Sequence, residues 1–170
     1  MSESSTLVDL RDAETPAATW TRRVWILLLA AMVAVAATGF LGVRTGTVTN
    51  SAGGYDLTLR YPEVARAGLD TRWQVRVRHP GGFGKTVELV VTADYFDVFE
   101  TQGLWPEPSA ETRGARYLHW TFDPPAGDTL VVDYDAYIQP ASQVGRDGTV
   151  AVVVDGRPVV SVHFDTRLMP

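Results

Sequence analysis

A run of 20 residues without a single charge, Val24 to Val43 (VWILLLAAMVAVAATGFLGV), constrains this chain more than any other feature. Seventeen of the 20 are hydrophobic. Wound as an α-helix the run would rise about 30 Å, the thickness of a bilayer's hydrocarbon core. Arg22 and Arg23 abut one end and Arg44 the other, and Trp25 sits at the depth of an interfacial belt aromatic. The pattern predicts a transmembrane helix over residues 24–43, with the lipid bilayer as the first partner of the chain.

Basic residues set the expected orientation. Arg11, Arg22 and Arg23 flank the run on its N-terminal side, against Arg44 and Arg60 on the other. The bias places residues 1–23 in the cytoplasm and residues 44–170 outside the plasma membrane. The competing reading is a cleaved signal peptide and a secreted product, because Ala34-Val35-Ala36 resembles a small-x-small cleavage site. Against it stand Glu3, Asp9, Asp12 and Glu14 ahead of the run, and its continuation through Phe40-Leu41. Within the run, Ala30, Ala34, Thr38 and Gly42 recur every four residues, so a continuous helix would carry them as one stripe of small side chains open to close helix–helix association.

The segments on either side differ in kind. Residues 1–23 mix Ser, Thr, Asp, Glu and Ala with Pro16 and lack the large apolar side chains that would bury a core, which predicts a short disordered tail. Residues 44–54 read as a linker or a first strand, and residues 55–170 as a single folded domain outside the membrane. From Thr45 onward there are 11 Arg/Lys against 16 Asp/Glu, so this part carries the whole net charge of −5. An acidic balance argues against nucleic acid as a partner. The chain has no cysteine, which excludes disulfides, thiol nucleophiles, cysteine-ligated zinc and iron–sulfur clusters.

Period-two patterning runs through this domain. Tyr55, Leu57, Leu59 and Tyr61 alternate with Asp56, Thr58 and Arg60, and Trp73, Val75 and Val77 with Gln74, Arg76 and Arg78. One apolar and one polar face is the mark of a half-buried antiparallel strand. Val87–Val91, Tyr117–Phe122 and Leu130–Ile138 repeat it, the last with Asp133 and Asp135 on one face. Asp155-Gly156 between Thr149–Val154 and Pro158–Phe164 suits a type I′ turn, whose central residues both need positive φ. Pro62 to Gly68 reads either as a single helical turn or as a loop. Short strands with Gly/Pro turns predict an all-β fold, an immunoglobulin-like antiparallel β-sandwich after one transmembrane helix. Without disulfides such a sandwich depends on core packing, which makes Trp73 and Trp120 first suspects for stability.

The stretch AGLDTRWQVRV from Ala67, then Val87–Val91, Pro106-Glu107-Pro108, Tyr117–Phe122 and PAGDTLVV from Pro125 resembles bacterial immunoglobulin-like surface domains of the conserved-repeat or CARDB kind, over residues 67–138. The chain also resembles uncharacterised single-pass proteins of actinobacteria, in keeping with Arg supplying 14 of its 15 basic residues. These resemblances imply extracytoplasmic binding or assembly roles and bring no catalytic residues.

The residues themselves offer little reactive chemistry. His79-Pro-Gly-Gly-Phe-Gly-Lys85-Thr86 ends like a phosphate loop but lacks its first glycine and leads into a strand. His79, His119 and His163 have no ligand partner at metal spacing, although Asp165 shares a face with His163. The pairs Asp94/Asp97, Asp123/Asp128 and Asp133/Asp135 form no calcium loop. No catalytic residue, metal ligand or cofactor is assigned. The most unusual stretch is Tyr95 to Pro106: Tyr95, Phe96, Phe99 and Trp105 cannot all point inward from one strand, because neighbouring residues face opposite sides. Exposed aromatics there would anchor a partner; the competing reading is a crossover that plugs the end of the core. The expected function is a non-enzymatic, membrane-anchored interaction or assembly module for another envelope or membrane protein. The alternative is an ectodomain that binds glycan or calcium or, at the limit, hydrolyses an envelope substrate.

Overall fold

In the computed structural model, which describes residues 16–38, 42–142 and 144–169, the chain divides into two units at Leu41/Gly42. Among its described residues the first unit contains one helix, α1, over Pro16–Ala37, which by length and composition is long and apolar enough to cross a membrane and of which nothing is buried. Its boundaries differ from the expected 24–43. Proline is favoured in the first helical turn and Ala17-Ala18 extend helix readily, so the helix starts at Pro16 and takes in Arg22 and Arg23. Residues 16–23 are therefore helical and do not belong to a disordered tail; residues 1–15 lie outside the described residues. Helix geometry ends at Ala37, where the Thr38 hydroxyl turns back to donate to the Val35 carbonyl at 2.6 Å.

Ten strands make up the second unit: β1 (Arg44–Ala52), β2 (Tyr55–Arg66), β3 (Asp70–Arg78), β4 (Val87–Thr92), β5 (Phe99–Trp105), β6 (Ala110–Arg113), β7 (Tyr117–Phe122), β8 (Thr129–Ile138), β9 (Arg146–Val154) and β10 (Arg157–Met169). They form a single curled sheet whose two halves face one another as a β-sandwich. Sheet I runs β5-β8-β3-β2 with β1 against β2, and sheet II runs β6-β7-β4-β9-β10. The halves join through β10: Arg157–Thr166 pairs with β9, then Arg167–Met169 pairs in parallel with Val64–Arg66 of β2. That parallel step makes the sheet mixed, where purely antiparallel pairing was expected.

Alternation decides what fills the interior. Leu57, Leu59, Trp73, Val75, Val77, Val132 and Tyr134 from sheet I meet Leu89, Val91, Trp120, Phe122, Val150 and Phe164 from sheet II. At the centre, the Trp73 ring lies edge-on to Phe96, Trp120 and Tyr134, with centroids 5.7, 6.1 and 6.5 Å away. The indole N–H groups of Trp73 and Trp120 are buried without a hydrogen-bond acceptor.

Two local expectations resolve differently. Asp155 and Gly156 have φ of 51° and 72°, as the β9–β10 hairpin requires. Pro62 to Arg66, by contrast, continues β2 instead of forming a helical turn. The register with β1 jumps from Thr45↔Pro62 to Arg44↔Val64, so Pro62 stands beside a bulge, a place where a sheet tolerates proline.

Candidate functional site

The outward side of sheet II is the first candidate. In β4 and β9 the sequence keeps apolar residues on both faces: inward Leu89, Val91, Val150 and Val152, outward Val90, Ala151 and Val153. Register aligns His119, Val90, Ala151 and Ser161 in one row across β7, β4, β9 and β10. Small side chains in the row's middle form the floor of a groove of about 400 Å³, with Tyr117, Val153 and Pro158 among its walls. Ala151 is only 8% exposed although it points away from the core, because larger neighbours stand around it. Polar groups line the groove as well: His119 Nδ1 lies 3.0 Å from Glu88 Oε1, and Thr149 and Ser161 border it. None of these residues stood out in sequence except His119. The available signal was the unbroken Thr149–Val154 run, since strands covered on both faces lose their alternation.

The aromatic stretch after β4 is corrected by the structure in three of its four candidates. Ala93–Val98 forms a 3-10 helix, which brings Tyr95 and Phe96 inward together and leads Phe99 in after them, an arrangement closed to a strand. Tyr95 is fully buried and Phe96 and Phe99 nearly so; they pack on one another and on Phe164 and Trp120. Tyr95 hydroxyl and Thr166 Oγ1, both buried, are hydrogen-bonded at 2.9 Å. Burial holds the Tyr95 phenol far above its usual range. These rings therefore plug the end of the core. Trp105 alone of the four remains available, 75% exposed at the end of β5.

Between the free edges of β5 and β6 lies a second cleft, also about 400 Å³, floored by Phe96, Leu118, Trp120 and Tyr134. Arg113 of β6 donates to Asp97 across its rim, and the Thr101 and Tyr134 hydroxyls are 2.7 Å apart within it. Charged side chains on so short an edge strand disfavour pairing with another chain.

The remaining candidates are dispersed. His79 stacks on Tyr55 with centroids 4.2 Å apart and its Nδ1 meets the Gly82 carbonyl, within the glycine loop that joins β3 to β4. His163 lies 3.3 Å from the Thr149 hydroxyl. Asp128 accepts from Arg78 and Thr129, Asp133 from Gln74 and Asp135 from Arg72. Among the described residues no three His, Asp or Glu side chains are grouped to hold a metal. On the helix, Ala30 and Ala34 lie within α1, while Thr38 follows its end as a turn residue and Gly42 falls in the second unit. Residues 39–41, between Thr38 and Gly42, lie outside the described residues.

No protein-family model matches the sequence, and no curated protein matches it. Among solved structures, the CaDoc0917–CaCohA2 complex aligns at 9% identity over 62% of this chain and 94% of the other, with a TM-score of 0.42. The sixth cohesin of scaffoldin B from Acetivibrio cellulolyticus, solved with a Cel5 dockerin, aligns at 13% identity over 75% of this chain and 99% of that one, with a TM-score of 0.39. A Bacteroides ovatus xyloglucanase aligns at 10% identity over 73% of this chain and 19% of the enzyme, with a TM-score of 0.35.

Proposed function

We propose that this protein is a non-enzymatic interaction module anchored in the plasma membrane. In this reading α1 and the apolar residues after it cross the bilayer with the N-terminus in the cytoplasm. The β-sandwich stands outside and docks another envelope or membrane protein, the role implied by the resemblance to CARDB-type surface domains. One observation carries the docking role: β9 sets Ala151 and Val153 on the side away from the core, in a groove that none of the described residues fills. Contiguous apolar surface that the domain does not cover itself is a mark of an interaction site.

A photocrosslinking residue placed at Val90 or Val153 in the full-length membrane protein tests the reading. Discrete adducts from those two positions, lost on Ala151→Arg, are expected, while the same probe at Arg76 on sheet I gives none. Equal adducts from both sheets, or none from sheet II, would overturn it. Protease accessibility from outside intact cells, with N-terminal sequencing of the membrane-bound chain, checks orientation and retention of the helix.

A further inference from the structure

Trp105 occupies a position that packing does not explain. Its neighbour Leu104 turns inward against the core, so the indole points to the opposite side, onto the outer face of sheet I. Register then sets a line: Trp105 on β5 stands opposite Asp133 on β8, Asp133 opposite Gln74 on β3, Gln74 opposite Arg60 on β2, and Arg60 opposite Thr47 on β1. With strands about 4.8 Å apart the row spans about 19 Å, the length of a short oligosaccharide. It begins on an exposed ring and continues through an acceptor, an amide that both donates and accepts, a planar donor and a hydroxyl.

We propose that the outer face of sheet I is a binding platform for a neutral polysaccharide, with Trp105 stacking on the apolar face of a sugar ring and Asp133, Gln74 and Arg60 hydrogen-bonding its hydroxyls. This inference goes beyond the protein-docking role, which uses the other sheet. Three features match that ligand. First, Gln74 Nε2 donates to Asp133 at 2.7 Å, which orients both planar groups along the row and leaves further donor and acceptor capacity. Second, the face mixes both signs of charge, with Arg72 paired to Asp135 at 2.8 Å and Arg78 to Asp128 at 3.1 Å, so it is not a single-sign patch of the kind that gathers a charged polymer. Third, shallow depressions lined by Arg60, Arg72 and Gln74 on one side and by Arg72, Gln102 and Asp135 on the other give hydroxyl groups places to settle. A protein partner is served less well, because a stable protein interface needs an apolar centre cleared of water, and on this face the indole, Val131 and Tyr137 are set among Asp133, Asp135, Arg72, Gln74 and Arg76.

The experiment uses the full chain in detergent micelles and titrates it with soluble cello-oligosaccharides and chito-oligosaccharides, with polygalacturonate as a charged counterpart. The neutral sugars are expected to bind. Trp105→Ala weakens that binding by about tenfold or more, without a shift in thermal midpoint because the side chain is exposed. Trp105→Tyr keeps part of it. Asp133→Asn and Gln74→Ala each weaken it to a lesser degree, and Val153→Glu on sheet II leaves it intact. Failure of the wild-type chain to bind either neutral sugar would overturn the proposal. So would unchanged binding by Trp105→Ala, a preference for polygalacturonate, or a Trp105-dependent crosslink to a protein in place of sugar binding. Because the protein-docking role is read from crosslinks at Val90 and Val153, either proposal can fail while the other stands.

Discussion

The two sheets share a core and differ in what they show to the outside. On sheet I every second residue of β3 is long and polar (Arg72, Gln74, Arg76, Arg78), and most meet a carboxylate on the neighbouring strand or its flanking turn. On sheet II the corresponding outward positions of β4 and β9 include valines and an alanine. Inward, the two sheets are equally apolar. Alternation therefore records how each outer face is to be used: a strand with a wet side keeps a polar period, and a strand with two dry sides loses it. The pattern of β9 argues for a cover over sheet II, and the pattern of β3 argues for water or a hydroxylated ligand over sheet I.

The largest effect expected is one that removes the distinction altogether. Trp73 is 2% exposed and its ring touches residues of both sheets. Trp73→Ala should cost about 3–5 kcal/mol, the usual penalty for deleting a buried tryptophan. Denaturant unfolding followed by circular dichroism measures it. Because the core is common property, protein docking and sugar binding should be lost together on heating, at one lowered midpoint. Two separate transitions would show that the sheets unfold independently and would break the view of a single core with two faces.

Next in size is a charge placed on one face only. Val153→Glu sits beside Glu88 in the same row and puts like charge into the sheet II groove. Crosslinking from Val90 should fall by about tenfold or more, while stability moves by about 0.5 kcal/mol or less, as for other surface changes. The mirror change, Arg76→Glu on sheet I, should leave that crosslink intact. Loss of the crosslink from either substitution would mean that docking reads the charge of the whole domain and not one face.

Much of this architecture was legible before any coordinates. The periods of Tyr55–Tyr61, Trp73–Val77, Val87–Val91 and Leu130–Ile138 appear as β2, β3, β4 and β8, and Asp155-Gly156 turns as its composition demands. What escaped was decided by tertiary pairing. Pro62 reads as the start of a helical turn or of a loop until β1 is seen to supply the bulge beside it. Tyr95 and Phe96 conflict only if their segment is a strand; as a 3-10 helix it accommodates both, and no local pattern announced that helix. The edge strand β6 carries Ala, Glu, Thr and Arg without an apolar period, because all four of its residues are exposed. For the sites, Trp105 was legible as an aromatic of unusual context, but its separation from Tyr95, Phe96 and Phe99 depended on the β5–β8 register.

A smaller effect tests how firmly the two faces are coupled. The Tyr95–Thr166 hydrogen bond ties the 3-10 helix to β10, the strand that enters both sheets. Tyr95→Phe leaves the fully buried Thr166 hydroxyl without its partner and should cost about 1–3 kcal/mol; adding Thr166→Val should recover part of that loss. The phenol also carries a pH signature. Its folded pKa is raised above the unfolded value of 10.0, so its contribution is complete below pH 10 and declines as the pH rises from there toward the folded value. Tyr95→Phe should flatten the alkaline limb of a stability–pH profile. An unchanged limb would assign alkaline sensitivity to other groups.

The smallest effect belongs to the wet face. Asp128 is held below its ordinary value of 3.8, first by the hydroxyl of Thr129 and then by Arg78. The sign is the reverse of Tyr95: stability from this carboxylate is complete above 3.8 and is lost as acidification passes toward the lower folded value. Both partners are exposed, so the change should be hard to see in a melting curve and is better followed by NMR titration of the Asp128 carboxyl. The midpoint should rise toward 3.8 in Thr129→Val and, to a smaller extent, in Arg78→Ala. If neither variant moves it, the Arg/Asp ladder of sheet I is a set of solvated charges that happen to lie close together. The ordering of paired charges on sheet I would then lose its structural basis, while the apolar Val90, Ala151 and Val153 of sheet II would keep theirs.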